Sequence, residues 1–234
     1  MIAFFRSPVL LALCFGGLSA CAKHEAALDF STSEPAFSRE EKKAIQQIAD
    51  ATVNDARALL PMLPPELRLT VRTDTHVIPE TGETAESIPP NEIVWKVDPG
   101  RNVLHTIQTQ LRPTLFHELH HIARAVTTST NTLVDMAITE GLATAFERDV
   151  AHVTPPWGEP PPDGIGWTRE VLRVPENDRR DQWLFDHPDG RRWVAMRTGT
   201  FVVDRATKNT GKSPAEMVAL PSAQILEMAK IQEK

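Results

Sequence analysis

Tyrosine is absent from this chain of 234 residues, and cysteine occurs only twice. The two cysteines are Cys14 and Cys21, so residues 22–234 contain no thiol group. Cysteine catalysis, disulfide bonds and thiolate metal ligands are therefore excluded for that part of the chain. The lack of tyrosine removes the phenol group, which in many enzymes donates a hydrogen bond or a proton to the reacting group.

Basic residues are in the minority, because 25 lysine and arginine residues stand against 31 aspartate and glutamate residues. The resulting net charge is −6. Removal of residues 1–20 would delete Arg6 and no acidic residue, so the balance would become 24 against 31, or about −7. An acidic chain without clusters of basic residues is a poor candidate for nucleic-acid binding, and we expect no such partner.

Long apolar runs are missing as well. The segment 9–18 follows Arg6 and is apolar, but it is too short to span a bilayer and is typical of a signal-peptide core. It leads into Leu-Ser-Ala-Cys, ending at Cys21, which resembles a bacterial lipobox. The resemblance implies cleavage before Cys21 and attachment to a membrane through lipid on that residue. The alternative is an ordinary secretory signal that is cut near Ala20 or Ala22.

The residue after the lipobox bears on localisation. Ala22 occupies the position at which an aspartate is associated with retention in the inner membrane of Gram-negative bacteria. The resemblance therefore implies a lipoprotein of the bacterial cell envelope, anchored in the outer membrane and facing the periplasm.

The most informative motif is His-Glu-Leu-His-His at residues 117–121. On one helix, His117 and His121 project from the same face and can hold one metal ion, while the adjacent Glu118 can act on a metal-bound water. Glu140 follows 19 positions after His121 and is the obvious third ligand. Apolar residues surround the motif, which favours a metal site over an exposed polar helix, although Glu140 could alternatively be a surface carboxylate.

The motif pair, followed by Gly141-Leu-Ala, resembles the gluzincin clan of zinc peptidases, and more closely a bacterial group of predicted zinc-dependent proteases. The resemblance implies that His117, His121 and Glu140 bind one Zn²⁺ per chain and that Glu118 is the general base. Only the two motif segments are specific, although the similarity extends from about residue 40 to the C-terminus. Gly141 itself fits a close approach between two helices.

The chain departs from these relatives at two positions. Met196 stands where they often have a tyrosine, and a thioether cannot donate the hydrogen bond that stabilises an oxyanion. Thr144 stands where thermolysin-like enzymes have an aspartate that orients a ligand histidine. The sequence leaves several replacements open: His187, His152, Arg192 and Arg197 for the oxyanion, and Glu147, Asp135 or a backbone carbonyl group for the orienting contact.

Hydrophobic periodicity predicts an α+β fold that is mostly helical, with a small N-terminal β-sheet. The resemblance implies that the active-site helices are zincin-like. We expect a signal peptide over residues 1–20, a flexible tether over 21–38 and one metallopeptidase domain over 39–234. Helices are predicted at 39–60, 114–126 (with Pro113 in the first turn), 132–150, 181–185 and 191–208, with Gly211 as a stop and a last helix from Ser222. Strands are predicted at 67–72 and Glu92–Val97, with a loop over 76–90.

Two regions could shape a substrate site. By analogy with zincins, the edge of the predicted sheet could receive an extended peptide, or the sheet could merely cover the helices. The proline-rich loop at 154–166 could rim the active site. Trp157 and Trp167 could contact a substrate there, or could pin the loop to the core.

Peptide-bond hydrolysis is the leading functional hypothesis, with a peptide or protein substrate. A zinc-binding envelope lipoprotein without turnover, acting as a scaffold or binding module, is the alternative, and the missing tyrosine favours it. The intact Glu118 argues against it, because a site that binds metal without catalysis has no need of a base. Hydrolysis of a non-peptide amide is a third possibility.

Overall fold

A computed structural model describes residues 26–30, 35–128, 132–175 and 180–231. The predicted signal peptide, Cys14 and Cys21 lie outside these ranges. The described part is mostly helical, with a small sheet towards its N-terminal side, and this confirms the predicted fold class. None of the described helices is long and apolar enough to cross a membrane.

Seven helices and four strands follow one another in the described ranges. In chain order they are β1 (Ala27–Asp29), α1 (Arg39–Leu59), β2 (Arg68–Thr73), β3 (Glu83–Ile88), β4 (Glu92–Val97), α2 (Val103–Ala125), α3 (Leu133–Ala151), α4 (Gly164–Leu172), α5 (Arg180–Leu184), α6 (Val194–Thr210) and α7 (Ser222–Ala229). A short 3-10 turn, Pro156–Gly158, lies between α3 and α4.

Helix α1 begins at a capping box formed by Ser38 and Glu41. The Ser38 hydroxyl accepts a hydrogen bond from the Glu41 backbone, and the Glu41 carboxylate accepts one from the Ser38 backbone. Ile45, Ala49 and Val53 recur on one face of α1 and are buried in the main apolar core, which also includes side chains of α2 and the sheet. The helix predicted at 39–60 is thus confirmed.

The sheet has the strand order β1-β2-β4-β3. Strands β1, β2 and β4 are parallel, whereas β3 is antiparallel to β4 and forms one edge of the sheet. Strands β2 and β4 confirm the two predicted strands, with a shift of one residue in β2.

The two edge strands correct the sequence analysis. The loop predicted at 76–90 is wrong over Glu83–Ile88, because β3 lies there. Its sequence is Glu-Thr-Ala-Glu-Ser-Ile, which lacks the apolar residue at every second position that marks a half-buried strand. Likewise, β1 forms within the predicted tether 21–38, because three residues suffice to pair with β2.

Helix α2 is longer than the sequence indicates. It starts at Val103, where the Asn102 side chain accepts a hydrogen bond from the His105 backbone. The prediction that Pro113 lies in the first turn is wrong, since Pro113 is buried inside the helix. A proline there removes one hydrogen bond of the helix, but α1, β3 and β4 all pack against α2, and this tertiary packing offsets the loss.

Helix α3 confirms the prediction at 132–150 and begins at a second capping box, formed by Thr132 and Asp135. It packs against both α2 and α6. At the crossing with α6, a Cβ atom added to Gly141 would lie 2.1 Å from the carbonyl carbon of Gly199. The close approach expected at Gly141 is therefore confirmed, and its partner is α6.

The C-terminal half also follows the predictions in outline. Helices α5 and α6 cover most of 181–185 and 191–208, and α6 ends at Gly211 with a φ of 74°. Helix α7 begins at Ser222 as expected. The segment 154–166 is largely irregular, apart from the 3-10 turn and the start of α4.

Candidate metal centre

The side chains of His117, His121 and Glu140 meet between α2 and α3. His117 Nε2 lies 3.3 Å from Glu140 Oε2, and His121 Nε2 lies 3.5 Å from the same oxygen. One ligand atom from each of the three residues lies within 4.8 Å of the other two. The connection between α2 and α3 thus returns Glu140 to the histidine pair that the motif places on one helix face.

The electrostatics of this group favour a cation between the three side chains. Burial lowers the pKa of His117, but hydrogen bonds with Glu140 and Glu147 outweigh burial and raise that pKa well above its usual value. Burial raises the pKa of Glu140, yet the charge on His121 and hydrogen bonds with both histidines hold it far below the ordinary value. Glu140 is therefore a carboxylate, and positive charge is drawn to its oxygens.

Glu118 is buried beside this group, with 6 % of its surface exposed. Burial raises the pKa of its carboxyl group, while the charges on His121 and His117 and a hydrogen bond with the Ser87 side chain oppose that effect. A carboxyl group with a raised pKa, next to a candidate metal-binding group, has the properties of a general base. Ser87 belongs to β3, and it lines the same cleft as Glu118.

Glu147 makes the contact with His117 that would orient this histidine as a ligand. Its Oε2 lies 3.1 Å from His117 Nδ1, and the carboxylate is 2 % exposed. Among the three candidates for this role, Asp135 instead takes part in the capping box of α3. Thr144, which replaces the aspartate of thermolysin-like enzymes, is buried, and its Oγ1 has no hydrogen-bond partner within the described ranges.

Glu83 is a further buried carboxyl group, and the charge of Glu147 acts on it. Glu83 on β3 is 1 % exposed, and its Oε2 accepts a hydrogen bond of 2.8 Å from Trp95 Nε1. Burial and the negative charge of Glu147 raise its pKa to about 7, against the opposing effect of hydrogen bonds with Trp95, Thr81 and Thr114. Sequence reasoning missed Glu83, because the residue lies in the segment that was predicted to be a loop.

The candidate ligands open into a cleft with a cavity of about 420 Å³. The lining includes side chains of α2 between Thr114 and Ala125, Thr128 beyond its end, and residues 83–87 of β3. It also includes five large apolar side chains: Trp157, Leu184, Phe185, Trp193 and Met196. A concave, mostly apolar site with a few convergent polar groups is the usual form of a substrate pocket.

The oxyanion candidates from the sequence have other partners. Arg197 donates hydrogen bonds to the carbonyl oxygens of Glu159 and Pro160, and His187 Nδ1 lies 2.8 Å from Asp189 Oδ1. Arg192 pairs with Asp186 and Glu80, and His152 is exposed at the end of α3. None of these four side chains lines the cleft described above, whereas Met196 does.

Trp157, Trp167 and His120 each pack against another side chain. Trp157 is 7 % exposed and packs edge-on against Trp193, with ring centroids 6.0 Å apart, so it both lines the cleft and pins the loop. The Cζ atom of Arg191 lies 4.9 Å from the ring centre of Trp167, and Trp167 does not line the cleft. His120 is fully buried beside Phe146, and burial lowers its pKa well below the usual value.

The donor set at His117, His121 and Glu140 fits Zn²⁺. Two imidazole nitrogens and one carboxylate oxygen are the ligands of many catalytic zinc sites, which keep a fourth position open. A second group, Glu170, His187 and Asp189, has a similar spacing but fits a metal poorly. Arg191 donates to both carboxylate oxygens of Glu170 and to Asp189, so a cation already neutralises that group.

Comparison with known proteins identifies a family. No curated protein and no solved structure matches the chain. Residues 39–227, which include α2, α3 and every side chain of the candidate centre, match the family model described as "Predicted Zn-dependent protease (DUF2268)". Since this match covers most of the chain, the protein belongs to that family of predicted zinc-dependent proteases.

Proposed function

We propose that the protein is a zinc-dependent peptidase that hydrolyses peptide bonds with Glu118 as the general base. The observation that carries the proposal is the meeting of His117 Nε2, His121 Nε2 and Glu140 Oε2 beside the buried Glu118. The family description is consistent with this reading. A zinc ion held by the three ligands would polarise the scissile carbonyl group and make a water molecule acidic.

Side chains of the protein carry out the proton transfer and position the groups that take part in the reaction. Glu118 accepts a proton from the attacking water at its carboxylate and delivers that proton to the leaving amine. Ser87 lowers the pKa of the Glu118 carboxyl group and so favours its charged form. Glu147 fixes the ring of His117, so that Nε2 faces Glu140 and His121. His117 and Glu118 are buried, which limits the access of bulk water to them.

The edge strand β3 gives the cleft a surface for an extended peptide. It pairs with β4 on one side, and residues 83–87 line the cleft. A peptide that lies along β3 can form backbone hydrogen bonds with it, which provide affinity with little demand on sequence. The sheet predicted to receive the substrate thus has a specific candidate strand, one that sequence analysis assigned to a loop.

The experiment that tests the proposal compares the wild-type protein with Glu118→Gln, both loaded with zinc. The variant keeps the size of the side chain but cannot accept the proton, so we expect a loss of hydrolysis of about 100- to 10,000-fold. The zinc content should be unchanged, because Glu118 is not a ligand. Equal activity of the two proteins would contradict the proposed role of Glu118.

A second candidate function is a zinc-binding protein of the cell envelope without turnover. It is favoured by one observation, namely that His152, His187, Arg192 and Arg197 all lie outside the cleft lining. Under this alternative, a broad mixture of peptides would stay intact with the zinc-loaded wild-type protein. The same comparison with Glu118→Gln therefore separates the two functions.

We further propose that the protein is anchored in the outer membrane through lipid on Cys21 and faces the periplasm. The support is the sequence alone: an apolar segment of signal-peptide length, a lipobox-like Leu-Ser-Ala-Cys and Ala22 after it. Metabolic labelling with a radioactive fatty acid should mark the wild-type protein but not Cys21→Ser. Absence of label in the wild type would leave the ordinary secretory signal as the explanation.

A further inference from the structure

A group of five large apolar side chains lines part of the cleft. They come from three separate places in the chain: Trp157 from the 3-10 turn, Leu184 and Phe185 from the end of α5, and Trp193 and Met196 from the start of α6. We call these five residues the apolar wall. Their convergence from separate elements indicates a surface that is formed by the fold rather than by one amphipathic segment.

Phe185 of the apolar wall is exposed to an unusual degree for a large hydrophobic residue. Half of its surface, 50 %, is accessible. Its backbone is held in place, because the Phe185 N–H donates to Asp181 and its carbonyl oxygen accepts from Trp193 N–H at 2.8 Å. An apolar ring that is held at the mouth of a cleft and left exposed is characteristic of a binding surface.

Trp193 makes the wall rigid. Its φ is 52°, in the left-handed region that a bulky side chain rarely adopts, and such conformations persist when the surrounding structure enforces them. Trp157 packs edge-on against its ring, and the Arg192 guanidinium group lies 4.1 Å from its ring centre. A preorganised aromatic surface binds an apolar group without a further loss of side-chain entropy.

The rest of the lining has a different chemistry. It includes residues 83–87 of β3 and the charged or polar side chains of His117, Glu118, His121, Arg124, Glu140 and Glu147. The cleft thus offers groups for both parts of a peptide: β3 and the candidate metal ligands for the backbone, and the apolar wall for a side chain.

From this difference in chemistry we propose that the apolar wall is a specificity site, which selects peptides with a large apolar residue next to the scissile bond. The proposal rests on the proposed peptidase function and defines its substrate class. Phe185 and Trp193 contact the substrate side chain, and Met196, which is flexible and polarisable, adapts to its shape. Bulky residues such as phenylalanine and leucine are favoured over alanine.

A peptide pool of known composition tests the proposal. The zinc-loaded full chain is incubated with the pool, and the cleaved bonds are identified by mass spectrometry. We expect large apolar residues to be enriched at least about 10-fold over alanine at one position beside the cleaved bonds, the discrimination usual for a hydrophobic pocket. Phe185→Ala should reduce this enrichment. Cleavage without enrichment would overturn the proposal while the peptidase function stands.

A matched control isolates the effect of the wall. Leu59→Ala also removes an exposed apolar side chain, 44 % accessible, but Leu59 lies at the end of α1 and does not line the cleft. It should leave the enrichment unchanged. If Leu59→Ala and Phe185→Ala have equal effects, the wall is not the specificity site.

Binding to the zinc-loaded Glu118→Gln protein separates failure of the wall from failure of catalysis. Two short peptides that differ at one position, phenylalanine or alanine, are titrated against this protein and against the double variant with Phe185→Ala. The first protein should bind the phenylalanine peptide about 10-fold more tightly, and the double variant should lose this preference. Equal affinities for the two peptides would overturn the proposal about the apolar wall, whether or not any peptide is hydrolysed. Absence of hydrolysis would instead contradict the peptidase function.

Discussion

Glu147 Oε2 lies 3.1 Å from Nδ1 of His117, on the side of the imidazole ring opposite to Glu140. One histidine is thereby held between two carboxylates that lie seven positions apart on α3. With a cation bound at Nε2, Nδ1–H would donate to Glu147 and so hold the ring in place. Glu147 stands three positions beyond Thr144, so the orienting contact comes from the next turn of the same helix.

The first prediction concerns this contact. Glu147→Gln removes the negative charge behind His117 while it keeps an oxygen that can accept the hydrogen bond. We expect zinc affinity to fall about 10- to 100-fold, the usual effect of losing a carboxylate that supports a ligand histidine. Competition with a chromogenic chelator measures the affinity. Glu40→Gln, at an exposed position near the start of α1, is the control, and an equal loss in both variants would contradict the assignment.

The second prediction concerns the crossing of α3 and α6. Gly141→Ala would place a methyl group 2.1 Å from the Gly199 carbonyl carbon, so the helices must separate and shift the adjacent Glu140. We expect a destabilisation of about 3 kcal/mol in urea-induced unfolding, together with weaker zinc binding. Gly100→Ala is the control, because the nearest atom there, 3.1 Å away, belongs to the flexible Asp98 side chain. A Gly141→Ala protein of wild-type stability would show that the crossing is looser than described.

The third prediction concerns the pH dependence of stability. The pKa of Glu83 is raised to about 7 in the folded chain, above its ordinary value of 4.5. Glu83 therefore keeps its proton to a higher pH in the folded protein than in the unfolded chain. The contribution of this difference to the free energy of unfolding is fully present below pH 4.5 and is lost as the pH rises towards 7. Over this range, we expect the free energy of unfolding of the wild type to fall more steeply than that of Glu83→Gln, by about 1 kcal/mol per pH unit.

The pH experiment is best made on metal-free protein, because a bound cation would add positive charge near Glu147 and Glu83. Chemical unfolding at several pH values gives the free energy of unfolding for the wild type and for Glu83→Gln. Parallel pH profiles would show that Glu83 does not change its protonation in this range. Glu86→Gln, an exposed position on the same strand, serves as the control.

The fourth prediction concerns Arg124, one turn after His121 on α2. Its guanidinium group is buried and donates to the carbonyl oxygens of Val218 and Leu220 and to Ser222 Oγ, which ties the segment before α7 to the metal-site helix. Burial lowers its pKa to about 10. We expect Arg124→Met to destabilise the fold by about 3 kcal/mol, because several buried acceptors lose their donor.

Arg112 on the same helix provides the comparison for Arg124. Its guanidinium group is partly exposed and pairs with Asp55 at 2.9 Å. Surface ion pairs contribute little, so Arg112→Met should cost less than about 1 kcal/mol in the same unfolding experiment. A loss at Arg112 as large as that at Arg124 would contradict the structural role given to Arg124.

Helices α1 and α3 follow from local sequence. α1 and α3 have capping boxes and regular apolar spacing, and the spacing of His117, His121 and Glu140 places them on two adjacent helices. Such features act over a few residues and can be read without knowledge of the fold. The position of Pro113 inside α2 could not be predicted in this way, because it depends on the packing of α1 and the sheet against α2.

The cleft could not be derived in the same way. β3 is polar, and it forms a strand because β4 offers it a partner and because Glu83 is buried against Trp95. The apolar wall brings together residues from the 3-10 turn, α5 and α6. These are long-range contacts, and no local pattern in the sequence marks them. Glu147 was one of three open candidates, and only the geometry selects it.

The most direct test of the account measures zinc by elemental analysis in purified residues 22–234, for the wild type and for His117→Ala. The account predicts about one zinc per chain in the wild type and a large loss in the variant. No zinc in either protein, even after reconstitution with the metal, would contradict the central claim that His117, His121 and Glu140 form a zinc site.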